Sequence, residues 1–488
     1  MAVIWMFAPP VIDDFWYRNE YKELLNDTGN GLQACLQALN SRVTTDNIRL
    51  PNLIFVFLQP FDYRVLTGIF TALCWAVSFV SAIKIAGCTL RRADVVVAIT
   101  LLWLLGLPWD EYMMSAAFYL NYVVPCAFMF CTIWMFLSGK HSTTLAVIFA
   151  ALTSWAHEAA GLTLIAALVG RMIFDHRIIT RRRVFIMAAA IVVFCFHLIA
   201  PAYKVHSAEY AMGSRNITVD VFFAYPSVWL FICVTFVLIA AKKFGYCKSI
   251  SSGLLAMFSA AGMVSIFLHC LFQSFDRCAW FGLAMVYTGY AYLLTKVKVP
   301  VMIQRLTGIV TFALLCWHFT AVGIEVFKVR RLFFPALEAY EKNDCRPVFV
   351  DVRAEKDILE ASLGRGSRLP FQPGVSASNI SGYFDHGQLR SMVFIPRQLN
   401  DVSVNPGTKV PGENEYYIKD GYLYRPSRYA DADVFRIETA EVSRGNLTRR
   451  ERLIIGYFTD SEGYGWEYAA STARLHCTKP ITAIKEIE

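Results

Sequence analysis

Residues 144–173, TLAVIFAALTSWAHEAAGLTLIAALVGRMI, form an apolar stretch that His157 and Glu158 interrupt near its middle. The stretch is either one long tilted helix or two short helices. The choice decides on which side of the membrane every later loop lies. A single crossing would export the basic run at 181–183, against the excess of Lys and Arg that cytoplasmic loops carry. The sequence therefore predicts two short helices that meet near the outer surface of a membrane.

The composition is that of an integral membrane protein, because 56% of the 488 residues are hydrophobic and only 17% are charged. The apolar stretches predict about eleven spans, several of them shorter than the roughly 20 residues that a bilayer requires. They lie at residues 1–12, 65–87, 95–107, 123–137, 144–156, 159–173, 184–202, 228–241, 253–272, 280–294 and 306–327. The first is too short to span and lacks the charged start of a signal peptide, which a true start upstream of Met1 would explain.

The loops at alternate ends of these spans differ strongly in charge. One set carries fifteen basic residues against two acidic ones, and the other carries eight basic residues against thirteen acidic ones. The positive-inside rule makes the first set cytoplasmic. We therefore expect a multi-pass protein of the bacterial cytoplasmic membrane whose acidic loops face outward.

The sequence of residues 328–488 predicts a separate domain. The number of spans before it places this domain outside the cytoplasm. Short alternating runs at 346–352, 391–395, 433–438 and 452–458 are typical of strands, and Asp420-Gly421 between aromatic runs indicates a hairpin. We expect an α+β or β-rich fold, in which Cys345 and Cys477 are free to pair. The domain's basic and acidic residues balance, so no nucleic-acid partner is required.

Acidic residues that interrupt the spans all fall on the predicted outer side. Asp13 and Asp14 follow the first span and precede an aromatic cluster. This position places them at the depth of the lipid headgroups, where a carboxylate can be desolvated enough to act as a base. Helix capping beside an interfacial aromatic belt explains the same residues equally well. A carboxylate in a membrane bundle is costly, which favours a functional site over a structural role.

Two further elements contribute to the predicted outer surface. Asp110 and Glu111 lie close in sequence to Asn121 and Tyr122. Aromatic rings together with acidic and amide side chains are typical of carbohydrate sites, and an ordinary interfacial loop is the alternative. His157 and Glu158 stand at the helix break, where imidazole and backbone N–H groups can bind a phosphate or merely cap a helix. Candidate cationic partners are Arg49, Lys204, His206, Arg215 and Arg277, each of which alone would be an ordinary surface charge.

Together these elements give a layout in which an Asp-Asp pair is followed by Asn-Tyr and His-Glu. With its short broken helices and extracytoplasmic domain, the chain resembles the polytopic GT-C-type glycosyltransferases over residues 12–327. It is most similar to a bacterial multi-pass family of unassigned function that shares the "DD…NY…HE" layout.

The resemblance implies an inverting glycosyltransferase that uses a lipid-phosphate-linked sugar and a cell-surface glycan, lipid or protein acceptor. It assigns the catalytic base to Asp13 or Asp14. Binding of substrate is expected at Asp110, Glu111, Asn121, Tyr122, His157, Glu158, Arg49, Lys204 and Arg277. The cofactor is left open, because a divalent cation is compatible with the carboxylates but no metal-ligand spacing occurs.

Two other classes of protein are alternatives. A transporter or flippase of lipid-linked saccharides would use the same cavity but would need a polar path to the cytoplasmic side, where the spans carry few polar residues. A membrane anchor for the C-terminal domain would leave the acidic residues of the bundle without a purpose.

Overall fold

A computed structural model describes the chain at residues 5–6, 13–46, 48–61, 63–109, 115–202, 219–271, 276–317, 319–320 and 323, and at ten strands beyond residue 347. The chain forms two compact units. The first comprises residues 1–6, 17–320 and 368–371, and the second comprises residues 7–16, 321–367 and 372–488.

The described part of the chain up to residue 323 is mainly helical. Its helices are α1 (Asp13–Thr28), α2 (Gly31–Thr45), α3 (Leu50–Leu58), α4 (Arg64–Ile85), α5 (Ala93–Gly106), α6 (Ala116–Ser138), α7 (Thr143–Ala156), α8 (Glu158–Phe174), α9 (Arg181–Ile199), α10 (Val219–Phe222), α11 (Pro226–Lys243), α12 (Ser252–Leu271), α13 (Trp280–Leu294) and α14 (Val301–Trp317). Short 3₁₀ turns at His176–Ile178 and Asp276–Ala279 precede α9 and α13.

Five of the described helices, α4, α6, α9, α11 and α12, are long and apolar enough to cross a membrane. Three shorter helices, α5, α7 and α14, are also apolar. Several helices leave large apolar side chains exposed, among them Phe236 and Val237 on α11 and Phe196 on α9. Such surfaces are costly in water and suit lipid, which supports an integral membrane protein. The predicted number of about eleven spans stays a prediction.

The predicted break at the His-Glu pair is confirmed. Helix α7 ends at Ala156, and His157 has an extended backbone, with φ −161° and ψ 130°. The His157 side chain then caps the next helix, because its Nδ1 atom accepts a hydrogen bond from the Ala159 N–H at 3.1 Å. The interruption of the apolar pattern is thus a change of backbone direction.

Close packing among helices α8, α12 and α13 depends on glycines. Helix α8 packs against α12, and a Cβ atom at Gly170 would lie 2.8 Å from the Ala256 carbonyl oxygen. Helix α12 also packs against α13, where a Cβ atom at Gly282 would lie 2.4 Å from the Ala261 carbonyl oxygen. Only glycine fits at these positions without moving backbone.

Helices α1 to α3 fill the segment that the sequence analysis treats only as an outer loop. The Asn30 side chain caps α2 by accepting hydrogen bonds from two backbone N–H groups of its first turn. Arg42 of α2 is buried, pairs with Glu20 of α1 and with Asp46, and lies 4.1 Å from the centre of the Tyr17 ring. A buried arginine held by two carboxylates fixes α2 against α1.

Beyond residue 347 the structure describes strand segments. These are β1 (Val348–Asp351), β2 (Met392–Ile395), β3 (Thr408–Lys409), β4 (Tyr417–Lys419), β5 (Tyr422–Tyr424), β6 (Phe435–Glu438), β7 (Tyr457–Thr459), β8 (Gly465–Glu467), β9 (Leu475–His476) and β10 (Ala483–Glu486). Strands β4 and β5 pair antiparallel on either side of the predicted Asp-Gly turn. The fold of the domain as a whole stays a prediction, and Cys345 and Cys477 lie outside the described residues.

Candidate functional site

An ion pair at the helix break joins two distant parts of the chain. The guanidinium of Arg49, the residue before α3, donates to both carboxylate oxygens of Glu158, with Nε 2.8 Å from Oε2. Both side chains are largely buried. Burial alone would lower the pKa of Arg49, but the Glu158 carboxylate raises it above its ordinary value. The pair is therefore charged in the folded protein.

Two other hydrogen bonds hold the same segment in place. The Trp155 indole N–H donates to the Ile48 carbonyl oxygen at 3.0 Å. The Asn121 amide donates both to the Asn52 side chain in α3 and to the Ala117 carbonyl oxygen of its own helix. The Asn-Tyr and His-Glu elements of the sequence thus meet at the start of α3, each fixing it from a different helix.

Two histidines lie next to the Glu158 carboxylate. The distance from Oε2 to His157 Nδ1 is 3.6 Å, and the distance to His197 Nε2 is 3.7 Å. His197 is buried near the end of α9. His197 is not among the residues predicted from the sequence, although an ionisable residue inside an apolar span is a signal for a site in its own right.

His157 carries a proton on the ring nitrogen that faces away from the helix it caps. Because Nδ1 accepts from the Ala159 N–H, the neutral ring has its proton on Nε2. Burial, assisted by the positive charge of Arg49, lowers the pKa of His157 to about 3, so the ring is neutral. Within the described part of the chain, Nε2 has no hydrogen-bond partner and the side chain is fully buried. The site thus contains a buried donor that no described residue accepts from.

Aromatic rings surround this donor. The ring of Tyr122 lies 5.0 Å from the imidazole between centroids, and that of Phe281, at the start of α13, lies 5.2 Å away. Phe118 stacks nearly parallel to Tyr122 with centroids 6.4 Å apart. The Arg277 guanidinium lies 4.4 Å from the centre of the Phe118 ring, a cation–π distance. The positive charge of Arg277 acts on His157 as well.

The structure therefore assembles six of the residues expected at a substrate site, namely Arg49, Asn121, Tyr122, His157, Glu158 and Arg277. Asp110, Glu111 and Lys204 lie outside the described residues, as do His206 and Arg215. Asp13 and Asp14 open α1 and belong to the second compact unit. The Asp14 side chain is buried.

No group of three metal-ligating side chains occurs among the described residues. Comparisons with models of protein families, with curated proteins and with solved structures find no match to this chain.

Proposed function

We propose that the chain is a membrane glycosyltransferase that moves a sugar from a polyprenyl-phosphate-linked donor to a glycan, lipid or protein acceptor at the outer face of the membrane. The observation that carries this proposal is the buried Nε2–H group of His157, which has no partner in the part of the chain that the structure describes. A buried donor without a partner costs about 1–3 kcal/mol, and a ligand with an acceptor oxygen removes that cost. Phosphate oxygens are strong acceptors of this kind.

The charges around His157 favour an anionic ligand. A lone carboxylate would repel a phosphate, but Glu158 is neutralised by the two hydrogen bonds from Arg49. Arg277 adds a positive charge that also acts on His157. In this arrangement Arg49 removes the repulsion, Arg277 attracts the anion and His157 orients it through a directional hydrogen bond.

The rings next to this group suit the remaining parts of a lipid-linked sugar. Tyr122 and Phe281 stack with centroids 6.0 Å apart beside His157, and we assign the apolar side of the sugar ring to this aromatic cluster. An apolar cavity of about 220 Å³ lies between α4, α5, Leu315 and Phe319, and its lining includes Trp75, Phe79 and Trp103. We assign the first isoprene units of the prenyl chain to this cavity.

Tryptophan contacts connect the apolar cavity with the polar cluster. The ring of Trp75 lies 6.3 Å from that of Trp280, and Trp280 lies 6.3 Å from Tyr122, which contacts His157. A ligand that contacts both ends of this aromatic path needs a phosphate at one end and a hydrocarbon chain at the other. A polyprenyl phosphate has that form.

The proposed reaction is a displacement at the anomeric carbon. A carboxylate takes the proton of the acceptor hydroxyl, the hydroxyl oxygen forms the new glycosidic bond, and polyprenyl phosphate leaves from the opposite face with the electrons of the broken bond. The configuration at the anomeric carbon is inverted. Because Glu158 is held by Arg49, the base is expected elsewhere, and the resemblance of the sequence gives this role to Asp13 or Asp14.

The test uses lipids from cells that lack the gene. Lipid-linked sugars that accumulate in the deletion strain are extracted and incubated with the purified protein in detergent, together with deletion-strain envelope as acceptor. We expect label to move from the lipid to the acceptor. Since detergent micelles have no two sides, a flippase would produce no transfer there, and absence of transfer would overturn the proposal.

A further inference from the structure

Helix α2 (Gly31–Thr45) has three distinct faces. One face is buried and consists of Ala34, Cys35, Ala38 and Arg42. A second face carries polar side chains that are exposed, including Gln33, Gln37, Asn40 and Thr44. The third face is a stripe of apolar side chains, defined by Leu32, Leu36, Leu39 and Val43. Their spacing of four, three and four residues places them in one row along the helix.

The apolar stripe is exposed although the helix is firmly attached to the protein. Leu32 is 66% exposed, Leu36 51% and Val43 37%. The buried face is anchored by Arg42, which is buried between the carboxylates of Glu20 and Asp46. Because this anchor fixes the rotation of α2, the helix cannot turn its apolar stripe inward.

The exposed apolar surface continues along the chain into a membrane span. Helix α3 exposes Ile54 and Phe57, the connection after it exposes Phe61, and α4 exposes Val65 and Leu66 in its first turn. Helix α4 is long and apolar enough to cross a membrane. Helices α2 and α3 are also joined in space, since the Cys35 thiol lies 3.7 Å from the Val56 carbonyl oxygen. The stripe is therefore followed along the chain by exposed apolar side chains that suit lipid.

We propose that α2 lies in the plane of the membrane and inserts its apolar stripe into the lipid at the boundary between headgroups and acyl chains. A helix with separate apolar and polar faces and little net hydrophobicity is of the interfacial kind. In α2 the polar face consists of amides and hydroxyls, which suit the headgroup layer. The inference does not depend on what the Glu158 site binds.

This placement fixes the depth of the candidate site. Arg49 follows the end of α2 by four residues and pairs with Glu158. When α2 lies at headgroup level, the Arg49–Glu158 pair lies close to the same level, where a phosphate headgroup is found. On the proposed function, on which this step alone rests, the interfacial helix brings a lipid phosphate near the level of His157.

The test compares two neighbouring positions on different faces of α2. A small fluorescent amino acid is introduced at Leu36 in the stripe, or at Gln37 on the polar face, in the full-length protein reconstituted into phospholipid vesicles. We expect the probe at position 36 to be quenched at least threefold more by lipids with a nitroxide near the headgroup than the probe at position 37. Iodide in the water should show the opposite order.

Two results would overturn the inference. Equal quenching of both positions by iodide would place the stripe in water. Quenching of position 36 by neither agent would show that protein, such as a second copy of the chain, covers the stripe. Leu32 serves as a second stripe position if the probe at 36 prevents folding, and thermal unfolding of each labelled protein verifies that the fold is intact.

Discussion

Two helix ends in the first unit carry buried or half-buried arginines, and they use them differently. At the carboxyl end of α6, Arg183 donates from Nε to the Phe136 carbonyl oxygen at 2.9 Å. It also donates from Nη1 to the carbonyl oxygen of Ile178, in the 3₁₀ turn before α9, at 2.8 Å. At the break between α7 and α8, Arg49 donates to the Glu158 carboxylate. One arginine is bound by backbone and the other by a charged side chain.

The difference separates a structural group from a candidate binding site. The last carbonyl groups of a helix lack internal partners and carry partial negative charge, so an arginine there satisfies the needs of the fold. Glu158 lies in the first turn of α8, where a carboxylate also favours the helix, but beside it the Nε2–H group of His157 has no partner among the described residues. Together with the charges of Arg49 and Arg277 and the rings around it, this group favours a binding site over a purely structural role.

The largest expected effect lies outside both arginine clusters. Because Arg49 holds Glu158, we do not expect Glu158 to act as the base. We expect Asp13→Asn or Asp14→Asn to lower turnover by about 10² to 10⁴ while expression is unchanged. Initial rates with lipid-linked donor in membranes measure this effect. If both variants keep wild-type rates, the base is wrong and Asp110 is tested next. If all the acidic residues prove dispensable, the transporter replaces the enzyme.

The second effect concerns the ion pair itself. Arg49→Met leaves the Glu158 carboxylate buried without its partner, and we expect a loss of about 3 kcal/mol in the free energy of unfolding. The double variant Arg49→Met with Glu158→Gln removes the unpaired charge, so it should recover much of that loss. Denaturant unfolding in detergent measures both. Equal loss in the two variants would mean that the pair is not coupled in the folded protein.

The third effect is a dependence of the folding stability on pH, which His157 produces. Its pKa is about 3 in the folded protein and about 6.5 in the unfolded chain, so the unfolded chain binds the proton first as the pH falls. Stability should therefore decrease below about pH 6.5, by at most ~1.4 kcal/mol per pH unit. The variant His157→Asn should lack this contribution. Parallel stability curves for the two proteins between pH 7 and 5 would contradict it.

The smallest effect is expected at Arg183 and the carbonyl groups that it binds. Arg183→Lys keeps the positive charge but loses the fork that reaches two carbonyl groups, and we expect a loss of about 1 kcal/mol in stability. Sugar transfer should be unchanged. A large loss of transfer at unchanged stability would mean that the Arg183 cluster also serves function, and the comparison of the two helix ends would fail.

The sequence was sufficient for the membrane class and for the break at His157, because both depend on local apolar pattern and charge. It also gave Arg49 and Arg277 as possible partners of the His-Glu element, but only as members of a group of cations. Their selection depends on distant contacts, since Arg49 and Glu158 are 109 residues apart. No local pattern contains that information.

Other features were missed for similar physical reasons. The hydrogen bond between Asn121 and Asn52 joins two helices, and a lone asparagine in α3 has no distinguishing neighbours in the sequence. Helix α2 has an apolar stripe and a buried face that contains an arginine, so it shows no single amphipathic pattern. His197 offered a usable signal, as a histidine within an apolar span, which the sequence analysis did not use.

The most direct measurement of the central claim compares two substitutions of His157. His157→Asn keeps an acceptor for the Ala159 N–H and removes the Nε2–H donor, whereas His157→Gln can place a donor near the Nε2 position but caps the helix poorly. Binding of polyprenyl monophosphate to each purified protein is measured together with thermal unfolding.

We predict that His157→Asn unfolds like the wild type at neutral pH but binds polyprenyl monophosphate about 10- to 100-fold more weakly, the effect of losing one hydrogen bond to a charged group. His157→Gln should show the reverse, with stability reduced by about 1 kcal/mol and binding largely kept. Wild-type affinity in His157→Asn would contradict the account, because the buried donor would then have no part in binding the phosphate.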